Sequence, residues 1–94
     1  MIFEWDENKN KINMAKHGVS FNAAKMIFFD PYCIIRFDRI EEGEERLHAA
    51  GEVNGLTMLL VVHTLHYDNQ TEIIRIISAR RPGKHERKHY ENRE

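Results

Sequence analysis

The first third of the chain carries an apolar pattern that is typical of a strand followed by two helices. Residues 1–5 alternate weakly between apolar and polar side chains, which indicates a short strand. Asp6 is a favourable N-cap for a helix that runs to about Lys16, and His17-Gly18 is a typical helix end. A second helix is predicted between Ser20 and Asp30-Pro31, because its apolar side chains recur with helical spacing at Phe21, Ala24, Ile27 and Phe28.

The apolar pattern changes from a helical to an alternating period after Pro31. Four strands are predicted, at residues 32–38, 46–53, 56–65 and 71–79, separated by a charged loop at residues 39–45 and by turns at Asn54-Gly55 and Asp68-Asn69. Pro82-Gly83 precedes a last helix over residues 84–93, in which only Tyr90 has a large apolar surface. The pattern therefore predicts an α+β fold with two N-terminal helices packed on a four-stranded antiparallel sheet and a C-terminal helix after it, with all the helices on one side of the sheet.

The length of 94 residues predicts a single domain over residues 1–94 with a modest core. The net charge of −1 at first argues against a nucleic-acid binder. Residues 75–94, however, hold seven basic and three acidic side chains, a net charge of +4, whereas residues 1–74 hold seven basic and twelve acidic ones, a net charge of −5. A basic C-terminal fifth on an acidic body indicates a segment that meets a polyanion or an acidic partner.

Several classes of protein are disfavoured by the sequence. The longest uncharged apolar run, residues 56–65, is far shorter than the roughly 20 residues that span a bilayer, and the N-terminus lacks the basic and apolar regions of a secretory signal. The single cysteine, Cys33, cannot form an intramolecular disulfide and is expected to be a small buried side chain. We therefore expect a cytoplasmic protein that associates with no membrane.

A metal-binding motif is present near the C-terminus. Residues 85–89 match the pattern H-E-x-x-H, in which two histidines on one helix face bind zinc and the glutamate acts as a general base. A catalytic zinc needs a third protein ligand, only five residues follow His89, and both intervening positions are cationic. These features favour a solvated basic helix over a zinc site, and we expect neither a metal nor a cofactor.

The basic residues of the last predicted strand have two interpretations. Strict alternation places Arg75 on one face of the strand and Arg80 on the other. Arg75 either has a structural role, lying over a sheet edge or pairing with Glu45, or presents its guanidinium to a phosphate, for which the forked geometry is suited. The further basic side chains nearby favour an anion site; they are Arg80, Arg81, Lys84 and Arg87.

Several segments together resemble the BrnT family of type II toxins. The matching segments are Phe3-Glu4-Trp5-Asp6, Lys16-His17-Gly18-Val19-Ser20-Phe21, Ala23-Ala24, residues 28–31, Gly43-Glu44-Glu45-Arg46, Gly51, Val62-His63-Thr64, Arg75-Ile76-Ile77-Ser78-Ala79-Arg80, Glu86-Arg87 and Tyr90-Glu91. Each matching segment is weak evidence by itself, but the order and spacing of the segments together are specific for the family. The chain departs from the family where relatives often carry an arginine after the threonine that matches Thr64, because Leu65-His66-Tyr67 stands there.

The resemblance implies a RelE-like fold and a ribonuclease that arrests translation. It also implies an antitoxin partner similar to BrnA, with a ribbon-helix-helix domain, in a hetero-oligomer that contacts operator DNA through the antitoxin. The sequence leaves the antitoxin surface open; one candidate is the arginine-bearing face of the sheet together with the last helix.

For a metal-independent ribonuclease, we expect Arg75 and Arg80 to bind the phosphate with support from Arg46. Glu45 or His63 is the candidate base and Tyr90 or His66 the candidate acid. The residues expected to contact the RNA backbone are Lys16, Arg81, Lys84 and Arg87. Two alternatives remain: an inactive homologue that only binds its antitoxin and regulates the operon, and a nucleic-acid binder that uses the basic tail alone.

Overall fold

The computed structural model describes residues 1–91 as one five-stranded sheet with helices on both faces. The elements in chain order are β1 (Ile2–Glu4), α1 (Glu7–His17), α2 (Phe21–Ala24), a 3-10 helix (Lys25–Phe29), β2 (Ile34–Glu41), β3 (Glu44–Val53), β4 (Thr57–Asp68), β5 (Thr71–Arg80) and α3 (Lys84–Glu91). The α+β class is as expected. The last helix was predicted to reach residue 93, and its final residues lie outside the described ones.

The sheet has five strands and mixed pairing, so the expectation of a four-stranded antiparallel sheet is wrong. The strand order is β1-β5-β4-β3-β2, and β1 pairs with β5 in parallel while the other pairs are antiparallel. The segment of residues 1–5 is too short for its apolar pattern to show which strand it pairs with. Once β5 is formed, its outer edge offers unpaired backbone groups, which Ile2, Phe3 and Glu4 satisfy opposite Ile73, Ile74 and Arg75.

The capping residues locate α1 within the chain. Asp6 accepts hydrogen bonds from the backbone N–H groups of Asn8 and Lys9, and Gly18 ends the helix in the left-handed conformation. The second predicted helix is only partly α-helical, because α2 has four residues and the 3-10 helix continues it. The tighter segment lies directly on β3 at Gly51, where a Cβ atom would stand 3.0 Å from the Cβ and carbonyl oxygen of Ile27. A larger residue at this position would push the 3-10 helix away by a few tenths of an ångström, so glycine favours this close approach.

The first hairpin is tighter than the expected loop over residues 39–45. Glu42 and Gly43 alone form the turn, both with positive φ, and Glu41 pairs directly with Glu44. Two residues in this conformation match the twist of the flanking strands, so the pairing extends into the charged segment. Glu44 and Glu45 therefore belong to β3, and their side chains point to opposite faces of the sheet.

The main core lies between the sheet and the N-terminal helices. Its buried side chains come from all of these elements and include Phe21, Ala24, Ile27, Ala49, Val61, Ile74, Ile76 and Ala79. We call this side of the sheet the helix face. The expectation that all helices share one side is incorrect, because α3 lies against the opposite side, next to Ile34, Ala50 and Leu60. Since α3 is polar except for Tyr90, it covers that side only in part.

Candidate functional site: an arginine-lined cleft beside the last helix

A β-bulge in β5 determines which side chains meet at the candidate site. Val62 pairs with Ser78 and His63 pairs with Ile76, so Ile77 is an extra residue in β5. Alternation restarts after it, which is why Ile76 and Ala79 are both buried on the helix face. As a result, Arg75 and Arg80 both extend from the side of the sheet that lies away from the helix face. Strict alternation had predicted that they extend from different sides.

We call the side away from the helix face the arginine face. It also carries Arg46 and His48 from β3, since these alternate with Leu47 and Ala49, which lie on the helix face. Arg46 had been expected to support the two β5 arginines, and the structure brings it to the same face. His48 and Ser78 were not expected from the sequence, although the two-residue alternation of Glu44, Arg46 and His48 would have grouped them.

Glu44 joins two of the arginines. Arg75 Nη2 donates a hydrogen bond to Glu44 Oε1, and Arg46 Nε lies 3.5 Å from the same oxygen atom. A second carboxylate, Glu41, lies 3.9 Å from Arg46 Nη1. The expected partner of Arg75 was Glu45, but its exposed side chain lies on the other face of β3. The single carboxylate of Glu44 is thus shared between two guanidinium groups.

Arg80 forms a bidentate ion pair with Glu86 of α3. Its Nη1 and Nη2 atoms lie 2.9 and 2.8 Å from the two carboxylate oxygens, and the Gly83 N–H donates to Glu86 Oε1 at 2.7 Å. The hydrogen bonds from Arg80 and from Gly83 lower the pKa of Glu86 to about 2. The same contact raises the pKa of Arg80, so both groups are charged at neutral pH.

Two adjoining pockets open on the arginine face. The first has a volume of about 370 Å³ and a mostly polar lining, which includes Arg39, His48, Val62, Ser78, Arg80 and Glu86. The second has a volume of about 270 Å³ and a mostly apolar lining between α3 and the strands. His48, Leu60 and Glu86 line both pockets. A phosphate in the first pocket would therefore have an apolar pocket immediately beside it.

His63, a candidate base from the sequence, lies on the helix face, away from this cleft. Its side chain is 1% exposed and packs edge to face on Phe28, with ring centroids 4.9 Å apart. Burial lowers its pKa, so the ring is held in its neutral form. The structure does not bring His63 together with the arginines. His66, a candidate acid, lies on the arginine face three residues further along β4, near the exposed end of the strand.

Tyr90, the other candidate acid, attaches α3 to the rest of the fold. Its hydroxyl group donates a hydrogen bond to Asp30 Oδ2 at 2.6 Å, and the Glu52 N–H donates to the same oxygen at 2.8 Å. The ring is buried and lines the apolar pocket. Asp30 therefore connects the end of the 3-10 helix, β3 and α3, and the Tyr90 hydroxyl is engaged in that connection.

The expected RNA-contacting residues are distributed over several surfaces. Lys16 is exposed at the end of α1, and Arg81 lines a separate depression with Met14 and Ser20 on the helix side. Lys84 and Arg87 are exposed on α3, where Arg87 Nε lies 3.4 Å from Glu91 Oε2. None of these four residues lines either pocket of the arginine face. Arg81 lies toward the helix side because it follows Arg80 on the alternate side of the chain.

Two further properties of residues 1–91 concern metals and membranes. No group of three or more histidine, cysteine or carboxylate side chains converges there to hold a metal ion. His85 and His89 of the H-E-x-x-H motif both line the apolar pocket. No helix in the same part of the chain is long and apolar enough to span a bilayer.

Comparison with known proteins places the chain in a family. A search of curated protein sequences gave no match. Among solved structures, the crystal structure at 1.1 Å resolution of the Brucella abortus ribonuclease toxin BrnT superposes with a TM-score of 0.67 and 25% identity, covering 89% of this chain and 100% of that one. The family model described as the ribonuclease toxin BrnT of a type II toxin–antitoxin system matches residues 5–86. This chain therefore belongs to the BrnT family of type II toxins.

Proposed function

We propose that this protein is a metal-independent endoribonuclease that cleaves mRNA on its arginine face. The observation that carries the proposal is the placement of Arg46, Arg75, Arg80 and His48 on one open side of the sheet, where Arg80 and His48 line the same polar pocket. Guanidinium groups bind phosphate oxygens in the same forked geometry in which they bind carboxylates. In the free protein, Glu44 and Glu86 occupy these guanidinium groups, and the RNA phosphate would take their place.

The proposed reaction is attack by the ribose 2′-oxygen on the adjacent phosphorus. A bond from the 2′-oxygen to phosphorus forms, the bond from phosphorus to the 5′-oxygen breaks, and a 2′,3′-cyclic phosphate remains. The arginines stabilise the negative charge that develops on the phosphorane. His48 exchanges protons with the 2′-hydroxyl or the leaving 5′-oxygen, because an imidazole beside Arg80 in the same pocket is the best available acid–base group.

Purified protein and a short RNA in excess EDTA test this activity. We expect cleavage to products that end in a 2′,3′-cyclic phosphate, and no cleavage when the scissile ribose is 2′-deoxy. The double variant Arg75→Ala/Arg80→Ala should be inactive while it melts near the wild-type temperature. Loss of cleavage in EDTA with recovery on adding zinc would revive the H-E-x-x-H hypothesis. A wild type that never cleaves would identify an inactive homologue.

In the cell, we propose that an antitoxin similar to BrnA, with a ribbon-helix-helix domain, binds this toxin and brings it to operator DNA. Without the antitoxin, cleavage of mRNA in the cytoplasm would halt translation and growth. Expression with and without the neighbouring small open reading frame tests this, with growth and RNA integrity as readouts. Growth arrest and RNA cleavage only in the absence of the neighbour are expected, and arrest in both cases would contradict the partnership.

The antitoxin surface that we propose is the helix-face side of β2 rather than the arginine face. Ile35, Phe37 and Ile40 are more than half exposed there, on an edge strand that pairs only with β3 among the described residues. Soluble monomers rarely leave such an apolar row on an open edge, whereas toxins of this family have a protein partner. An antitoxin segment bound to this surface would not itself cover the cleft. The rest of the antitoxin chain would have to reach the cleft in order to block it.

A further inference from the structure

The apolar pocket between α3 and the sheet has no role in phosphate chemistry, yet it adjoins the phosphate site. Its walls are Ile34, Ala50 and Leu60 from three neighbouring strands and His85, His89 and Tyr90 from α3. An apolar cavity of about 150 Å³ holds one benzene molecule, so a pocket of about 270 Å³ is large enough for one nucleobase.

The chemistry of the pocket fits a base better than it fits an aliphatic group. The two histidines of α3 offer flat rings on which a base can stack, and aromatic or imidazole stacking is the common way to hold an unpaired RNA base. Arg36 also lines the pocket and provides hydrogen-bond donors for the polar edge of a base. Ile34, Ala50 and Leu60 provide the apolar floor.

The position of the pocket relates it to the phosphate. His48, Leu60 and Glu86 line both this pocket and the polar pocket that contains Arg80. A nucleotide has the same two parts, an apolar planar base and an adjoining anionic phosphate. Resting on the function proposed above, we propose that this pocket receives one base of the RNA next to the scissile phosphate, held by His85 and His89.

The inference gives the H-E-x-x-H segment a different use from zinc binding. Histidines one turn apart share a helix face, and in α3 that face looks into the pocket while Glu86 pairs with Arg80. The hydrogen bond between Tyr90 and Asp30 holds α3 against the sheet, and the position of α3 then sets the width of the base pocket.

A binding measurement tests the pocket without depending on catalysis. The probes are 2′-O-methyl hexaribonucleotides, which cannot be cleaved, either intact or with one abasic residue at each successive position. For the wild type, we expect one position at which the abasic residue weakens binding by about 5- to 150-fold, the loss of one stacked base. Equal affinities at all positions would overturn the inference.

Two variants separate the pocket from general effects. Ala50→Leu fills the floor and should bind the intact probe as weakly as the wild type binds the critical abasic one, with no dependence on position. Ala15→Leu, on the exposed side of α1, is the matched control and should keep the wild-type pattern. Retention of the position dependence by Ala50→Leu would show that the base binds elsewhere.

A second measurement on the unmodified protein covers the case in which Ala50→Leu does not fold. Nucleoside 3′-monophosphates should shift the ring-proton resonances of His85 and His89, whereas ribose phosphate without a base should not. Equal shifts with both ligands would overturn the inference. If the binding results hold while RNA is never cleaved in EDTA, the ribonuclease proposal fails and the base pocket stands.

Discussion

Arg75 and Arg80 extend from the same face of β5 although they are five positions apart, because the bulge at Ile77 inserts one residue between them. In a regular strand these side chains would lie on opposite faces of the sheet. The bulge also allows Ile76 and Ala79 to share the buried face. One irregularity in the ladder therefore serves both the core and the cleft.

Removing either β5 arginine should slow RNA cleavage without unfolding the protein. Arg75→Ala and Arg80→Ala are each expected to lower kcat/KM by about 10²- to 10³-fold, since each removes one charge-stabilising donor. Lys11→Ala, which removes an exposed cation from α1, is the control and should stay within a few-fold of wild type. A comparable loss in Lys11→Ala would indicate that overall charge, rather than the arginine face, governs the rate.

The ion pair between Arg80 and Glu86 should be visible in an acid titration. The pKa of Glu86 lies near 2 in the folded protein, below its ordinary value, so its stabilising contribution is present above about pH 4.5 and is lost as the pH falls towards 2. Carboxyl ¹³C resonances should give a midpoint near 2 for the wild type and a higher one for Arg80→Ala. Arg75→Ala is the matched control, and a raised midpoint there would contradict the assignment.

Asn13 should be critical for stability because it bonds to the backbone of β5. Its Nδ2 donates to the carbonyl oxygens of Val19 and Ala79, at 2.9 and 2.7 Å, and its Oδ1 accepts from the Ala79 N–H at 3.1 Å. Asn13→Ala leaves these buried groups unpaired and should lower the free energy of unfolding by about 2–4 kcal/mol. Urea denaturation measures this, with exposed Asn22→Ala as the control. A loss below about 1 kcal/mol would mean that water replaces the amide.

The β2 surface should be required for the antitoxin but not for cleavage. Phe37 is 59% exposed on the helix-face side, so Phe37→Asp should weaken antitoxin binding by about 30-fold or more and leave RNA cleavage unchanged. Ile12→Asp, a comparably exposed apolar position on α1, is the control. If Arg75→Ala abolishes antitoxin binding while Phe37→Asp does not, the antitoxin covers the arginine face.

The sequence by itself determined the features that depend on neighbouring residues. Asp6 and Gly18 delimit α1, and Asn54-Gly55 forms a turn with both residues at positive φ, because capping and turn formation are local backbone effects. The central position of β4 also followed from its uninterrupted apolar run. The basic residues that cluster near the C-terminus include Arg75 and Arg80 of β5, and their role in binding phosphate stays a prediction.

Tertiary structure alone decided which of these residues face one another. The bulge at Ile77 is defined by the pairing of β5 with β4, and no short sequence pattern predicts it. The bulge changes the sides of the sheet on which the residues of β5 lie. Together with the tight Glu42-Gly43 turn, it makes Glu44 rather than Glu45 the hydrogen-bond partner of Arg75. The parallel pairing of β1 and the placement of α3 through Tyr90 and Asp30 depend on partners about 60 or more residues away in sequence, which local patterns cannot specify.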